Sequence, residues 1–150
     1  MNYGKWPVMT DWDSMFMEMA RVAGSQSKAT KRRVGAIAVK DNNVIGIGIN
    51  GTPTSWFTNE DIDLDTGHTC ETVLHAEENL VSKIARSGNS SSGATLYVTV
   101  APCIKCARLI AQSGFTSVCF GEYYKEDAGI VMLEILGIKC YKYKANNTLE

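Results

Sequence analysis

Several features are missing from this sequence, and each absence narrows what the chain can be. No stretch approaches the ~18 consecutive apolar residues of a bilayer span, so no membrane-embedded segment is expected. The opening residues, Met1 to Met9, have neither the basic start nor the apolar core of a secretory leader, which points to a reducing cytoplasm. In such a compartment the cysteines at 70, 103, 106, 119 and 140 read as metal ligands, catalytic groups or core residues in preference to disulfides. Charge of either sign is not in excess: 15 basic and 16 acidic side chains leave a net charge of −1. Without a positive field the molecule is poorly suited to capturing a nucleic-acid backbone, and a small-molecule substrate is favoured. A local exception is Lys28, Lys31, Arg32 and Arg33, a cluster that suits a few phosphates and equally a solvated loop.

What is present fits an ordinary globular chain. Apolar residues make up 45% and charged residues 21%, which is wrong for a disordered protein. The 150 residues suit a single domain, 1–150, able to bury roughly two-thirds of its unfolded surface.

Hydrophobic periodicity sets out an α-β-β-α-β-α-β-α-β order. Met15, Phe16, Met19, Val22 and Ala23 form a helical stripe over 11–23, capped by Thr10 or Asp11 and ended by Gly24. Two β-branched runs, 34–40 and 44–49, flank Asp41, Asn42 and Asn43, residues that tolerate positive φ, and predict a hairpin. The stretch 50–71 has no sustained period and reads as a long, functional loop. A helix over 73–87 follows, then strands at 94–100, 116–121 and 138–143 alternating with helices at 103–113 and 126–136. Helical crossovers make β3, β4 and β5 parallel, with the hairpin at one edge and helices on both faces: a three-layer α/β fold on a five-stranded mixed sheet.

The chemistry concentrates in two short motifs. Cys103 and Cys106, three apart after Pro102 at a helix start, face one side and can share a metal, and the helix dipole favours their thiolates. With His75 as a third ligand the set is soft enough to select Zn2+ and leaves a fourth position open, as a catalytic site requires. Glu77, two residues beyond His75, supplies a carboxylate near the metal but not bound to it, suited to moving protons. His-x-Glu followed by Pro-Cys-x-x-Cys matches the signature of zinc deaminases. Cys119 and Cys140 read as core residues, whereas His68 and Cys70, with His75 or a residue elsewhere, leave open a second metal; the further cofactors to consider are a structural zinc or an Mg2+ accompanying an effector nucleotide.

A helix between β4 and β5 departs from the short-turn arrangement of the free-cytidine deaminases. From Val34-Gly35-Ala36, through Gly46-Ile47-Gly48-Ile49-Asn50-Gly51-Thr52-Pro53, Cys70, His75-Ala76-Glu77-Glu78-Asn79 and Pro102 to Ile110, to Tyr124, the sequence resembles the deoxycytidylate (dCMP) deaminase family. The resemblance implies the cytidine deaminase-like fold and hydrolysis of dCMP to dUMP and ammonia, with Glu77 as the proton carrier. It also implies substrate contacts at Asn50 (deoxyribose hydroxyl), at Ser27, Lys31 and Tyr124 (5′-phosphate), and at Ala76. Lys31 stands where the family usually has arginine, keeping the charge but not the bidentate fork. Members are commonly hexamers activated by dCTP and inhibited by dTTP. Gly46, Gly48 and Arg86 match positions tied to that control, though the glycines have an equally good structural explanation. Two other readings compete: a tRNA adenosine deaminase, which wants a broader basic surface, and a non-catalytic zinc protein, which has no use for Glu77.

Overall fold

A computed structural model describes residues 10–145; the leader expectation for Met1–Met9 lies outside the described residues. Helix α1 (Asp11–Gly24) starts at a capping box. The Thr10 hydroxyl accepts from the Asp13 N–H at 3.1 Å, and the Asp13 carboxylate accepts from the Thr10 N–H at 3.0 Å. Its buried face is Phe16, Met17, Ala20 and Gly24, rotated from the expected stripe, so that Met15 and Val22 are exposed. Close approach is the reason. A Cβ on Gly35 of the first strand would stand 1.9 Å from the Ala20 carbonyl oxygen, so the helix docks through its small residues.

Strands β1 (Gly35–Lys40) and β2 (Asn43–Ile49) form the expected hairpin. Its turn is two residues, Asp41 and Asn42, both at positive φ (51° and 58°) as a type I′ turn demands; Asn43 already belongs to β2. Helix α2 (Ala76–Ser87) starts three residues later than the apolar pattern suggests. Leu74 forms a strand-like bridge instead, exchanging both backbone hydrogen bonds with Gly51 at 2.8 and 3.1 Å, and the Val73 N–H donates back to the Cys70 carbonyl at 3.1 Å. Next come β3 (Thr95–Val100), α3 (Ile104–Gln112), β4 (Ser117–Glu122), α4 (Ala128–Ile135) and β5 (Lys139–Lys142).

The sheet order is β2-β1-β3-β4-β5, with β1 antiparallel to both neighbours and β3, β4 and β5 parallel. Strand alternation divides the core cleanly. Ile37, Val39, Tyr97, Cys119 and Tyr141 pack beneath α1, while Ala36, Ala38, Leu96, Val98, Val118, Phe120 and Cys140 pack beneath α2, α3 and α4. Cys119 and Cys140 are thus core residues of opposite faces, as expected.

Register places the functional end. Gly35 pairs with Ile49 and Ala36 with Val98, while Val100 pairs with Glu122. The start of β1, the end of β2 and the C-terminal ends of β3 and β4 therefore meet at one edge of the sheet, joined there by the N-termini of α2 and α3. In open α/β sheets that is where ligands bind.

Candidate active site

His75 and Cys103 are the N-cap residues of α2 and α3, both in extended conformation (ψ 158° and 170°). Two helix N-termini, each carrying partial positive charge, converge on one point. His75 stands outside the helix proper, so the ideal helical angle between it and Glu77 does not apply; the kink at the cap lets both face the same space. The cap is secured by Glu78, whose carboxylate accepts from the His75 N–H at 2.8 Å.

The imidazole Nδ1 lies 3.6 Å from Cys103 Sγ and 3.3 Å from Cys106 Sγ. A tetrahedral zinc with the usual Zn–S and Zn–N bonds spaces its sulfur and nitrogen ligands about 3.6 Å apart, so the three side chains fit one ion. All three ligand atoms lie within 4.8 Å of one another, and this is the only such trio among the described residues. Among the described residues no comparable group gathers around His68 and Cys70. The Cys106 thiol beside Cys103 holds the Cys103 thiol down at about 3, with His75 adding to the effect, which favours the thiolate form a metal ligand needs. Hydrogen bonding to that same Cys103 raises His75 and Cys106 above their ordinary ranges.

Close packing of backbones fixes the two ligand-bearing helix starts. A Cβ on Gly48 would meet the Ala76 carbonyl oxygen at 2.2 Å, and one on Gly129 would meet the Pro102 carbonyl oxygen at 2.2 Å. Gly48 thus seats α2 on β2, and Gly129 seats α4 against the Pro102–Cys103 segment. Gly46 likewise lies under Leu80 and Ile84.

Above the trio opens a cavity of about 530 Å3, within the range of small-molecule sites. Glu77 lines it at only 5% exposure, and burial pushes its carboxyl up to about 7. Ala76, Val73, Val100 and Ala101 give the floor apolar walls, and Asn50, Lys31 and Tyr124 line it as well.

Asn50 is almost fully committed within the chain. Its Oδ1 accepts from the Val34 N–H at 2.9 Å and the Ser27 hydroxyl at 2.7 Å, and its Nδ2 donates to the Arg32 carbonyl at 2.7 Å. One amide hydrogen remains to be offered to a ligand. Ser27 does not line the cavity: it is buried at 2% exposure with its hydroxyl spent on Asn50, one layer behind. Arg86 is exposed in the last turn of α2, away from the cavity lining. Of the basic cluster, Lys31 and Arg32 reach the cavity, and Arg32 is paired with Glu122.

The lining also includes residues to which sequence reasoning gave no part in substrate binding: Asp61, Thr69 and Lys125. Lys125 carried a signal in its position beside Tyr124, over whose ring its Nζ stands at 5.9 Å from the centroid. Asp61, one acid among many in an aperiodic loop, carried none.

A His-Cys-Cys zinc trio with one position open and an unliganded carboxylate enclosed beside it has the composition of a catalytic zinc centre rather than a closed structural one. Residues 10–122 match the family described as the cytidine and deoxycytidylate deaminase zinc-binding region, and the chain belongs to that family. It is 40% identical over 124 residues to the deoxycytidylate deaminase of Saccharomyces cerevisiae, a match covering 77% of this chain and 39% of the yeast protein. The matched segment thus spans well under half the length of that relative. The deoxycytidylate deaminase of Mycobacterium phage D29 is 36% identical over 73% of this chain and 94% of its own. Among solved structures, the dCMP deaminase of cyanophage S-TIM5 in complex with dCMP and dUMP superposes with a TM-score of 0.86 at 34% identity, covering 91% of this chain and all of that one.

Proposed function

We propose that the protein hydrolyses dCMP to dUMP and ammonia. The observation that carries this reading is the enclosed Glu77 beside the His75-Cys103-Cys106 trio, at the bottom of a cavity whose lining includes Lys31, Arg32 and Lys125. Those cations suit a phosphate, and the cyanophage protein of the same fold was crystallised with dCMP and dUMP.

Zinc, when bound, supplies the Lewis acidity that makes a nucleophile of water at neutral pH. The residues of the chain do the rest. Glu77 takes one proton from the water and delivers it to cytosine N3 while the C4–O bond forms. It then carries the second proton, from the new C4 hydroxyl, to the amine as the C4–N bond breaks. Asn50 donates its spare amide hydrogen to the sugar hydroxyl, Ala76 and Val100 pack against the base, and Lys31 and Tyr124 face the phosphate.

Assembly into a hexamer and control by dCTP and dTTP belong to the same proposal, with Arg86 the accessible candidate. At Gly46 and Gly48, packing against α2 already accounts for glycine. An assay of ammonia release from dCMP, dCTP, deoxycytidine and tRNA, each with and without dCTP and dTTP, tests the reading. Turnover of dCMP well above the other three is the expected result, and turnover confined to tRNA would overturn it.

A further inference from the structure

The basic loop that brings Lys31 to the cavity has no regular structure of its own, so something else must hold it. Two long-range grips hold it, one on each side of Lys31, beside the local bond in which the Ala29 N–H donates to the Ser27 hydroxyl at 3.2 Å. On the C-terminal side Asn50 grips the backbone of Arg32 and Val34, at 2.7 and 2.9 Å. On the N-terminal side the grip comes from Asp61, 31 residues away in the long loop. One carboxylate oxygen accepts from the Thr30 N–H at 2.8 Å and the other from the Thr30 hydroxyl at 2.7 Å.

Asp61 is built for that task. It is only 6% exposed, among the few buried acids of the chain, and both its oxygens are engaged. Hydrogen bonds from Thr30 hold its carboxyl below the ordinary aspartate value against the opposing effect of burial, with the Lys31 charge contributing. Its own backbone anchors a small tongue. The Asp61 carbonyl accepts from the Cys70 N–H at 2.7 Å, Ile62 bridges Thr69, and the Asp63 N–H donates to the His68 carbonyl at 2.8 Å. His68 and Thr69 on that tongue line the cavity, as do Lys31 and Asp61 itself. One carboxylate therefore ties the tongue to the basic loop across the mouth.

We propose that Asp61 is a positioning residue for the substrate phosphate: by clamping Thr30 it fixes Lys31 and the tongue at the spacing a phosphate monoester needs. The inference rests on the reading of this cavity as a nucleotide site. It differs from a general bracing role because the clamp serves only the mouth, whereas the base and the zinc trio are held by α2, α3 and the sheet.

The test compares dCMP with deoxycytidine, which has the same base and sugar but no phosphate. Asp61→Asn keeps the shape and loses one of the two acceptor oxygens. It is expected to raise KM for dCMP about tenfold, as loss of a charged hydrogen bond implies, with kcat within about twofold. KM for deoxycytidine and zinc content are expected to stay at wild-type values. Thr30→Ala should shift KM the same way by a smaller factor, and Thr30→Ser, which keeps the hydroxyl, should behave as wild type. Should Asp61→Asn not yield folded protein, the Thr30 pair decides. An equal rise in KM for both substrates, a fall in kcat alone, or no change overturns the proposal. If the wild type itself shows no preference for dCMP over deoxycytidine, the nucleotide reading fails and the clamp with it; if the preference exists and survives the substitutions, the clamp alone fails.

Discussion

The floor of the cavity hangs on helix starts seated against the sheet, whereas its mouth hangs on loops pinned through single side chains. At the floor, His75 and Cys103 are N-caps whose places follow from the approach of α2 to Gly48 and of Gly129 to Pro102. At the mouth, Lys31 owes its place to hydrogen bonds made by Asn50 and Asp61. The difference separates chemistry from recognition. Backbone packing suits a metal site, whose ligands must keep their distances closely, while a phosphate held by flexible cations tolerates looser support. Damage at the floor should therefore fall on metal and kcat, and damage at the mouth on KM.

The largest effect is expected at the ligands. Cys103→Ala or Cys106→Ala leaves two donors, too few to hold a catalytic ion, and should abolish bound zinc and turnover together with a loss of thermal stability. Cys119→Ala, on the opposite face of the sheet beneath α1, should keep a full zinc equivalent. Metal analysis of the purified variants distinguishes them. A zinc-free Cys119→Ala would contradict the division between the two faces.

Next in size is Glu77→Gln, which preserves the shape and all three ligands. Zinc should remain stoichiometric while kcat falls by roughly 10²- to 10⁴-fold, the usual worth of a positioned acid–base group. KM for dCMP should change little, because Glu77 belongs to the floor. A variant retaining more than about a tenth of wild-type kcat would remove Glu77 from the proton-transfer role.

Gly129→Ala probes the packing that seats the floor. The added methyl has no room against the Pro102 carbonyl, so α4 or the Pro102–Cys103 segment must shift, at a cost of about 1–3 kcal/mol in stability. Zinc affinity should drop as well, because Cys103 rides on the displaced segment. Competition with a chelator reads the affinity and thermal unfolding reads the stability. A stability loss with unchanged zinc affinity would show that the cap of α3 is set independently of α4.

The same contrast explains what was legible in the sequence. The motifs at 75–77 and 102–106 are short, and cap geometry acts over a few residues: spacing paired Cys103 with Cys106, and the match to the zinc-deaminase signature added His75 and Glu77. The hairpin and the parallel direction of β3, β4 and β5 were equally readable, since a short turn makes neighbours antiparallel and a helical crossover makes them parallel; that β1 and not β2 adjoins β3 was not. Long-range contacts were not. The face of α1 is set by the approach of Gly35 to Ala20, and the late start of α2 by the bridge from Leu74 to Gly51. Nothing local in Asp61 announces Thr30, and Ser27 looks as able to meet a ligand as to brace Asn50 until the hydrogen bonds are seen.

The smallest effect is expected at Lys31 itself, and it sharpens the contrast because the mouth holds more than one cation. Arg32 is engaged with Glu122, but Lys125 also lines the cavity, so loss of Lys31 is partly covered. Lys31→Ala should raise KM for dCMP by about fivefold to tenfold, less than the more than tenfold of an uncovered charged hydrogen bond, and leave kcat and zinc content unchanged. Raising ionic strength should shrink the gap between variant and wild type, since an exposed charge is screened over about 8–10 Å at 0.1–0.15 M salt. Lys31→Arg should match or better the wild-type KM, because a guanidinium adds a two-pronged hold on phosphate oxygens to the same charge. If Lys31→Ala instead lowered kcat at unchanged KM, the lysine would be acting on the chemical step, and the separation of floor from mouth would fail at the residue chosen to represent the mouth.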